Sequence, residues 1–487
     1  MKKVLLNTLQ IILKAALAVC LFVCAWYFLT PYFRTEHNAE GDGFRNMPDH
    51  TIDVVAVGSS HIQYAFDPAV FYAETGYYSY VMGSQCQPMS MTYHMLEEVL
   101  KTQSPEAAVI DVFTLLPASE VCYADGNFYV AIDEMTGRNR LEAADDIDNP
   151  ELVRQYKYDF LMNHGNWKNM DVKDPGSILN YRKELDGYIN FELGYVRQEP
   201  HIYTPTPLVV YTPDQKAELA EKEKAELDRV IGLCTENGIT PVFVKTPCIL
   251  DQENTNKLQA IWDYLDTKNV RHIDYLQKAE ELSWYMNMDG DTWHNNSWGA
   301  EIITKDLAAY TKENRLVTKH AVNEEMEALC RNAMLITVKS LMSMYNIDIY
   351  RLLEEASKYP CAVAFRYLGS PKTSITEREL ELFRGIGITR DFVKNPYDDY
   401  YAFVINGELV QESNEAFAVQ FSGSEVALTY SGIKIDGVDY DTEPGELEIY
   451  FMAENLGWLN AIGINHATRW FWELSCEGYD CPVYCGW

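Results

Sequence analysis

The run Asp53-Val-Val-Ala-Val-Gly-Ser-Ser-His61 constrains this chain more than any other stretch. An uninterrupted, mostly β-branched apolar segment bounded by glycine reads as a strand buried on both faces, the pattern of a parallel sheet. Residues just past such a strand sit at the carboxyl edge of the sheet, where open α/β folds keep their ligands. Ser60 is therefore well placed to be a nucleophile. The same Gly58-Ser59-Ser60 also suits an ordinary strand-to-helix turn with a serine N-cap. Only the rest of the chain can separate the two readings.

Further strands of the same kind follow. Phe66–Tyr78 reads as a helix and turn, Tyr80-Val-Met82 as a second strand, and Gly83-Ser-Gln-Cys-Gln87 as its end. A helical pattern through Met95, Leu96, Val99 and Leu100 leads into a third strand, Ala107–Val112. The long Ala/Glu/Lys/Leu-rich helix Asp214–Asn237 precedes a fourth, Thr240–Lys245, and Arg271–Tyr275 reads as a fifth. Asp291-Thr-Trp-His294 then opens a helix that runs to about Tyr310. Strands alternating with helices imply right-handed parallel crossovers, hence a three-layer, doubly wound α/β domain over residues 51–315. Residues 113–213 are too many for a crossover, and their Tyr, Asn, Asp and Pro content predicts an irregular, cap-like insertion at the active edge.

The N-terminus has a different character. Met1-Lys-Lys3 is followed by apolar sequence from Val4 to Leu29, densest over Ala15–Leu29, and then by Tyr32 and Phe33. That length spans a bilayer, with Lys2, Lys3 and Lys14 marking the cytoplasmic end and aromatics the outer interface. A cleaved signal peptide would need a small-x-small site after the run, which is missing. Leu17-Ala-Val-Cys20 resembles a lipoprotein site, but apolar sequence continues well beyond the cysteine. Residues 1–33 are thus expected to be an uncleaved, single-pass transmembrane anchor in the cell membrane, with 34–50 a polar linker and the bulk of the chain extracytoplasmic.

The 487 residues carry a formal charge of −32, from 72 acidic against 40 basic side chains. That balance argues against nucleic acid as a partner and against binding polyanions by broad attraction. Eleven cysteines in a chain of this size do not make a disulfide scaffold. Cys86, Cys122, Cys234, Cys248, Cys330 and Cys361 are scattered, most in apolar settings that suit buried thiols. Cys476, Cys481 and Cys485 cluster in a tail, residues 476–487, where one local disulfide and a spare thiol fit better than zinc. No metal and no cofactor is expected.

Acyl transfer needs a nucleophilic oxygen, a base in reach, a group that orients the base, and donors aimed at the developing oxyanion. An Asp three residues before a His at a loop-to-helix junction can direct both side chains to one spot, which suits Asp291 and His294. A serine after the first strand and a histidine after the last, in one α/β domain, carry more weight together than either does separately. With Gly58-Ser59-Ser60 and Asp291-Thr-Trp-His294, the chain resembles the SGNH/GDSL hydrolase superfamily. The flanking GSSHIQYAFDP and HNNSWGAEIIT resemble its membrane-anchored, extracytoplasmic branch, which includes the D-alanyl-lipoteichoic acid biosynthesis protein and alginate-acetylation-type enzymes.

The resemblance implies that Ser60 attacks, His294 serves as base and then acid, Asp291 orients it, and the backbone N–H groups of Ser60 and Gly83 bind the oxyanion. Ser59 replaces the usual Asp of the first block, and Asp111-Val-Phe-Thr114 stands where a Gly-x-Asn-Asp block would be. The third oxyanion donor is thereby unassigned, with the Gln85 amide a candidate. His61, His164 and Trp167, the last two in Asn163-His-Gly-Asn-Trp167, are candidate substrate-binding residues, and each equally suits a structural role.

A second region follows a helical connector, residues 316–346. Met326, Leu329, Met334, Leu335, Val338, Leu341 and Met342 recur at helical spacing, a stripe that reads as core before it reads as a groove. Ile347–Lys358 also reads as helical. Strand patterns then dominate, with hairpin turns at Asn406-Gly407 and Asp436-Gly437, so an α+β, mainly antiparallel domain is expected over 347–475. AVAFRYLGSPKTSITERELELFRGIGI, YYAFVINGELVQES and IKIDGVDYDTEPGELEIYFMAENLGWLNAIGI are similar to the interleukin-like EMT-inducer (PANDER-like) domain. That resemblance implies glycan binding or positioning, and Trp458, Trp470 and Trp472 suit either stacking on sugars or a core.

The expectation is a serine esterase or O-acyltransferase acting on acyl esters, most simply O-acetyl, of cell-envelope or exported glycans. The alternatives are a glycan- or envelope-binding protein without catalysis, and an acyl-handover partner of a membrane-bound acyltransferase.

Overall fold

The computed structural model describes residues 2–29, 39–118, 130–147, 149–157, 188–198, 208–282, 293–343, 362–369, 375–439, 446–455, 458–465 and 470–474. Helix α1, Lys2–Leu29, contains the apolar span Asn7–Ala25, long enough to cross a bilayer and without any covering from the rest of the protein.

Helix α2, Ala39–Arg45, occupies part of what reads as a linker. Phe44 and Met47 are buried, and the Phe44 ring meets Tyr80 edge-on at 5.1 Å. Arg45 Nη1 donates to the carbonyl of Glu134 at 2.9 Å. Two apolar residues in a polar stretch carry no periodic signal, so only the surface they land on reveals them as core.

Five parallel strands form the sheet expected: β1 Val54–Gly58, β2 Ser79–Gly83, β3 Ala107–Asp111, β4 Thr240–Lys245 and β5 Arg271–Asp274, in the order β2-β1-β3-β4-β5. All of β1, β2 and β3 is buried, which is why their sequences run apolar instead of alternating. Around the sheet lie α3 Ser60–Gln63, α4 Pro68–Thr75, α5 Met89–Val99, α6 Gly137–Asp145, α7 Pro150–Tyr156, α8 Glu221–Glu236, α9 Gln252–Thr267, α10 Tyr275–Lys278 and α11 Ser297–Glu313. Two separate apolar cores cover its opposite faces, one through Val55, Val57 and Ile110, the other through Val54, Ala56 and Val109.

Local chemistry sets the helix ends. In α4 the Asp67 carboxylate accepts from the N–H groups of Ala69 and Val70, Pro68 occupies the first turn, and Gly76 closes the helix at φ 76°. Helix α8 starts at Glu221, later than the pattern from Asp214 predicts. Asp214 and Gln215 instead give their N–H groups to Asn256 Oδ1 on α9, which fixes that stretch as a loop.

The described parts of the 113–213 insertion are more ordered than the composition predicts. A 3₁₀ turn, Phe113–Leu115, is followed by α6 and α7, and α6 packs on α5. Residues 193–198 pass from the open edge of β2 to α3: Val81 N–H donates to Leu193 O and Val196 N–H to Gln63 O, both at 2.9 Å.

Helix α12, Glu324–Ser343, bridges the two halves by packing on α4. Met326, Leu329, Cys330, Ala333 and Met334 are buried and join one continuous apolar core with residues from both sides. The described part of the methionine stripe is core.

Beyond it come β6 Ala362–Tyr367, α13 Glu377–Gly385, β7 Tyr400–Ile405, β8 Glu408–Ser413, β9 Phe417–Phe421, β10 Ser424–Thr429, β11 Gly432–Ile435, β12 Val438–Asp439, β13 Leu447–Asn455, β14 Trp458–Asn465 and β15 Trp470–Leu474. They form a six-stranded antiparallel sheet, β15-β14-β13-β6-β7-β8, and a four-stranded one, β12-β11-β10-β9. Ala364, Phe403, Val426, Ile433 and Tyr450 fill the space between the sheets. The opposite face of the larger sheet buries Val363, Phe365 and Tyr367 with Leu380 and Phe383 of α13, and α12 packs against β13. Trp458, Trp470 and Trp472 stand in β14 and β15. Residues 347–358 and the cysteine tail 476–487 lie outside the described residues.

Candidate active site

Strand β1 ends in a backbone conformation that few residues can adopt. Gly58 has φ +149°, and a Cβ there would stand 2.7 Å from Asp111 Cβ. The chain turns at once into α3, whose N-cap is Ser59, with its Oγ accepting from His61 N–H at 3.2 Å. Both sequence readings of Gly58-Ser59-Ser60 therefore meet here: Ser59 is the cap, and Ser60 is left to face the cavity.

Ser60 Oγ lies 2.9 Å from His294 Nε2. His294 stands just before α11, whose N-cap Asn296 accepts from Gly299 N–H at 3.1 Å. Thr304 of α11 ties that helix to the chain leaving α3, accepting from Asp67 N–H at 2.9 Å and donating to Ala65 O at 3.2 Å. The separation of 234 positions from serine to histidine is thus closed by a helix-on-helix contact of α11 with α4. The Tyr64 ring packs 4.6 Å from the imidazole of His294.

These side chains open on a cavity of about 500 Å³. Ser60, His61, Gln63, Ser84, Gln85 and His294 supply its polar lining, while Phe113, Val130, Val196 and Trp293 supply apolar wall. Gly83 also lines it, next to Gly58 across the sheet, and its carbonyl accepts from Gln63 Nε2 at 2.9 Å. A Cβ at Gly83 would come within 2.6 Å of Gln63 Cγ, so close packing alone demands glycine there. Gln85 is exposed at the rim. Asp291, His164 and Trp167 lie outside the described residues.

Behind the serine is a buried polar group that the motif reading does not include. Ser59 Oγ donates to Asp111 Oδ2, and Phe113 N–H donates to Asp111 Oδ1 at 3.2 Å. Burial raises the Asp111 carboxyl above the ordinary aspartate value, and the charge of Lys245 with the hydrogen bond from Ser59 works against that rise. Lys245 is wholly buried at the end of β4, with Nζ donating to Thr246 O at 2.6 Å and lying 3.5 Å from His61 Nδ1. The His61 ring lies tilted against Phe113 with centroids 3.6 Å apart, and burial, then the charges of Lys245 and His294, hold its pKa well below the usual histidine value. The sequence signal for this group is a charged residue closing an otherwise apolar strand, at Asp111 and again at Lys245.

Cys86 departs from its expected state. It is disulfide-bonded and borders the cavity in the left-handed region at φ 49°, whereas Cys234, Cys248 and Cys330 are buried and in no disulfide.

Chemically, a serine hydroxyl that donates to an imidazole nitrogen can lose its proton to that nitrogen as the oxygen attacks an electrophile. The mostly apolar wall lowers the polarity around the reacting atoms and strengthens dipoles aimed at them. No protein-family model matches the chain, and no curated protein matches it.

Proposed function

We propose that this chain is a membrane-anchored serine esterase or O-acyltransferase of the SGNH type, acting on acyl esters of glycans outside the cytoplasm. The observation that carries this reading is the 2.9 Å contact of Ser60 Oγ with His294 Nε2 at the carboxyl edge of a parallel sheet, facing a cavity. Strand order β2-β1-β3-β4-β5 with serine after β1 and histidine before α11 supports the superfamily resemblance.

In the proposed reaction the Ser60 hydroxyl attacks the ester carbonyl while His294 Nε2 takes its proton. The alkoxy group leaves with the proton returned by His294, and the acyl group stays on Ser60 Oγ. Water or a sugar hydroxyl then gives its proton to His294 and attacks the acyl-enzyme, releasing Ser60. Asp291 is assigned to orient His294, and the backbone N–H groups of Ser60 and Gly83 to receive the oxyanion. The disulfide at Cys86 supports an oxidising compartment, and helix α1 would hold the domains to the membrane on that side.

The test treats the full-length protein in detergent with a serine-reactive fluorophosphonate and with 4-nitrophenyl acetate. Labelling and turnover are expected in the wild type and lost in Ser60→Ala and His294→Ala. Variants that equal the wild type in both assays would sink the mechanism.

A further inference from the structure

The site described above has a serine, a base and backbone donors, but its third donor to the acyl oxygen is unassigned. His61 is the side chain next to Ser60 and lines the same cavity. Its ring is packed between neighbours, with the Phe113 ring tilted against it at 3.6 Å and His294 5.4 Å away. Lys245 Nζ is 3.5 Å from Nδ1.

That approach favours one tautomer of the ring. A lysine ammonium has donors only, so the nitrogen facing it must be the acceptor. His61 Nδ1 is then unprotonated, and a neutral imidazole in that state carries its proton on Nε2. Burial and two neighbouring positive or positive-prone groups, Lys245 and His294, favour the neutral ring over imidazolium. Nε2 has no hydrogen-bond partner among the described residues. A neutral N–H without an acceptor among the described residues, on a ring that borders the cavity, can serve a substrate oxygen.

Lys245 is held in turn. It gives one proton to Thr246 O at 2.6 Å, and its charge acts on Asp111, which accepts from Ser59 Oγ. The strand ends of β3 and β4 adjoin in the sheet, with Asp111 paired to Val244. The order of the group is therefore Ser59, Asp111, Lys245, His61, a buried row running behind the nucleophile from its cap to the cavity.

We propose that His61 donates its Nε2–H to the acyl oxygen as the third oxyanion donor, and that Lys245 is the positioning residue that fixes this tautomer. The proposal rests on Ser60 being the nucleophile. A neutral donor loses no proton as the tetrahedral intermediate forms, so it stabilises the oxyanion without competing with His294 for the serine proton.

Two measurements on the full-length protein in detergent test it. Nitrogen-15 histidine spectra, with His61 assigned by its disappearance in His61→Gln, should show an unprotonated Nδ1 and a protonated Nε2, unchanged from pH 5.5 to 8. In Lys245→Met the two tautomers should mix. An Nδ1–H tautomer or an imidazolium at pH 7 in the wild type overturns the proposal, whether or not the protein turns over any ester. For 4-nitrophenyl acetate, His61→Phe and Lys245→Met should lower kcat by roughly 100-fold, the usual cost of one oxyanion donor, with little change in KM. His61→Gln, which keeps an N–H, and Lys245→Arg should each recover part of the loss. Unchanged kcat in both Lys245→Met and Lys245→Met/Asp111→Asn, with native circular dichroism, overturns it as well. The double variant removes both buried charges, so an effect from stranding Asp111 is told apart from loss of the tautomer. A wild type that neither labels with fluorophosphonate nor turns over ester defeats the reading of function, and the tautomer result still stands on its own.

Discussion

Ser59 Oγ donates to Asp111 Oδ2 between the carboxyl ends of β1 and β3, so the cap that turns the chain into α3 is itself anchored to the neighbouring strand. The hydroxyl is used twice, since it also accepts from His61 N–H. The position of Ser60 is consequently set by a bond between two buried side chains that never meet the cavity's contents directly.

Removing the acceptor should be felt in stability and at Ser60 together. In Asp111→Ala the Ser59 hydroxyl and the Phe113 N–H lose their partner while buried, a cost of roughly 1–3 kcal/mol per orphaned group. Asp111→Asn retains a carbonyl oxygen and should lose less. Denaturant midpoints followed by tryptophan fluorescence give the first quantity, and the rate of fluorophosphonate labelling gives the second. Equal midpoints for Ala and wild type would show that the bond contributes nothing.

Gly58→Ala is expected to act at the same place by a different route. The substitution forces a Cβ into φ +149° and to within 2.7 Å of Asp111 Cβ. Strain of about 1–3 kcal/mol follows, and relief can come only by moving β1 from β3, which tilts α3 and with it Ser60. Labelling of Ser60 should fall at least as sharply as stability. Gly76→Ala, at φ 76° with open space around it, serves as the comparison, since it carries the strain without the collision.

The parallel strands were legible because burial on both faces writes an unbroken apolar run; Ser60 directly follows one of them, whereas His294 stands in the loop before α11. What escaped reading has a common cause. Phe44 and Met47 have no periodic neighbours, and they become core only through contact made by the fold. Asp111 and Lys245 are single charges at strand ends, indistinguishable in a sequence from solvated ones until the sheet places them behind the same serine. The state of Cys86 was unreadable for the same reason, since pairing depends on approach in space and carries no local signature.

The contact between α5 and α6 should weaken as pH rises past neutrality. His94 Nδ1 lies 2.9 Å from both Glu97 Oε2 and Asn139 Oδ1, and Nε2 lies 2.9 Å from Asp146 Oδ2, which Arg229 of α8 also reaches at 2.6 Å. Burial acts to lower the His94 pKa, but its hydrogen bonds to Asp146, Asn139 and Glu97 outweigh this and the net shift is upward. A histidine raised above its unfolded value stabilises fully below that value, near 6.5, and loses the contribution as pH climbs through the folded pKa. Glu226 of α8, pushed up to about 7 by burial, adds loss in the same direction, because a buried carboxyl stabilises the fold only while protonated. Asp146 runs oppositely: burial acts to raise it, the bonds from His94 and Arg229 prevail, and its contribution disappears only as pH falls below the ordinary aspartate range. The difference in melting temperature between wild type and His94→Gln should therefore shrink from pH 5.5 to pH 8. A constant difference would mean that the ring titrates alike in the folded and unfolded chains.

In the C-terminal half, the guanidinium of Arg366 on β6 is wholly buried against the equally buried carboxylate of Glu448 on β13. The arginine also donates to Tyr430 O at 2.9 Å, and the glutamate accepts from Ile433 N–H at 3.1 Å, so the pair reaches across to the smaller sheet at its β10 and β11 ends. Both charges are desolvated, and the value of such a pair lies less in attraction than in what happens when one member is left alone. Glu448→Ala strands the guanidinium and should cost roughly 3–5 kcal/mol. Arg366→Met/Glu448→Leu removes both charges and refills the volume, with the Tyr430 carbonyl and the Ile433 N–H among the groups that lose a partner, so most of that loss should return. Chemical denaturation of the three proteins measures this directly. If the double variant is as unstable as Glu448→Ala, the backbone bonds to the second sheet, and not the stranded charge, are what hold the two sheets together.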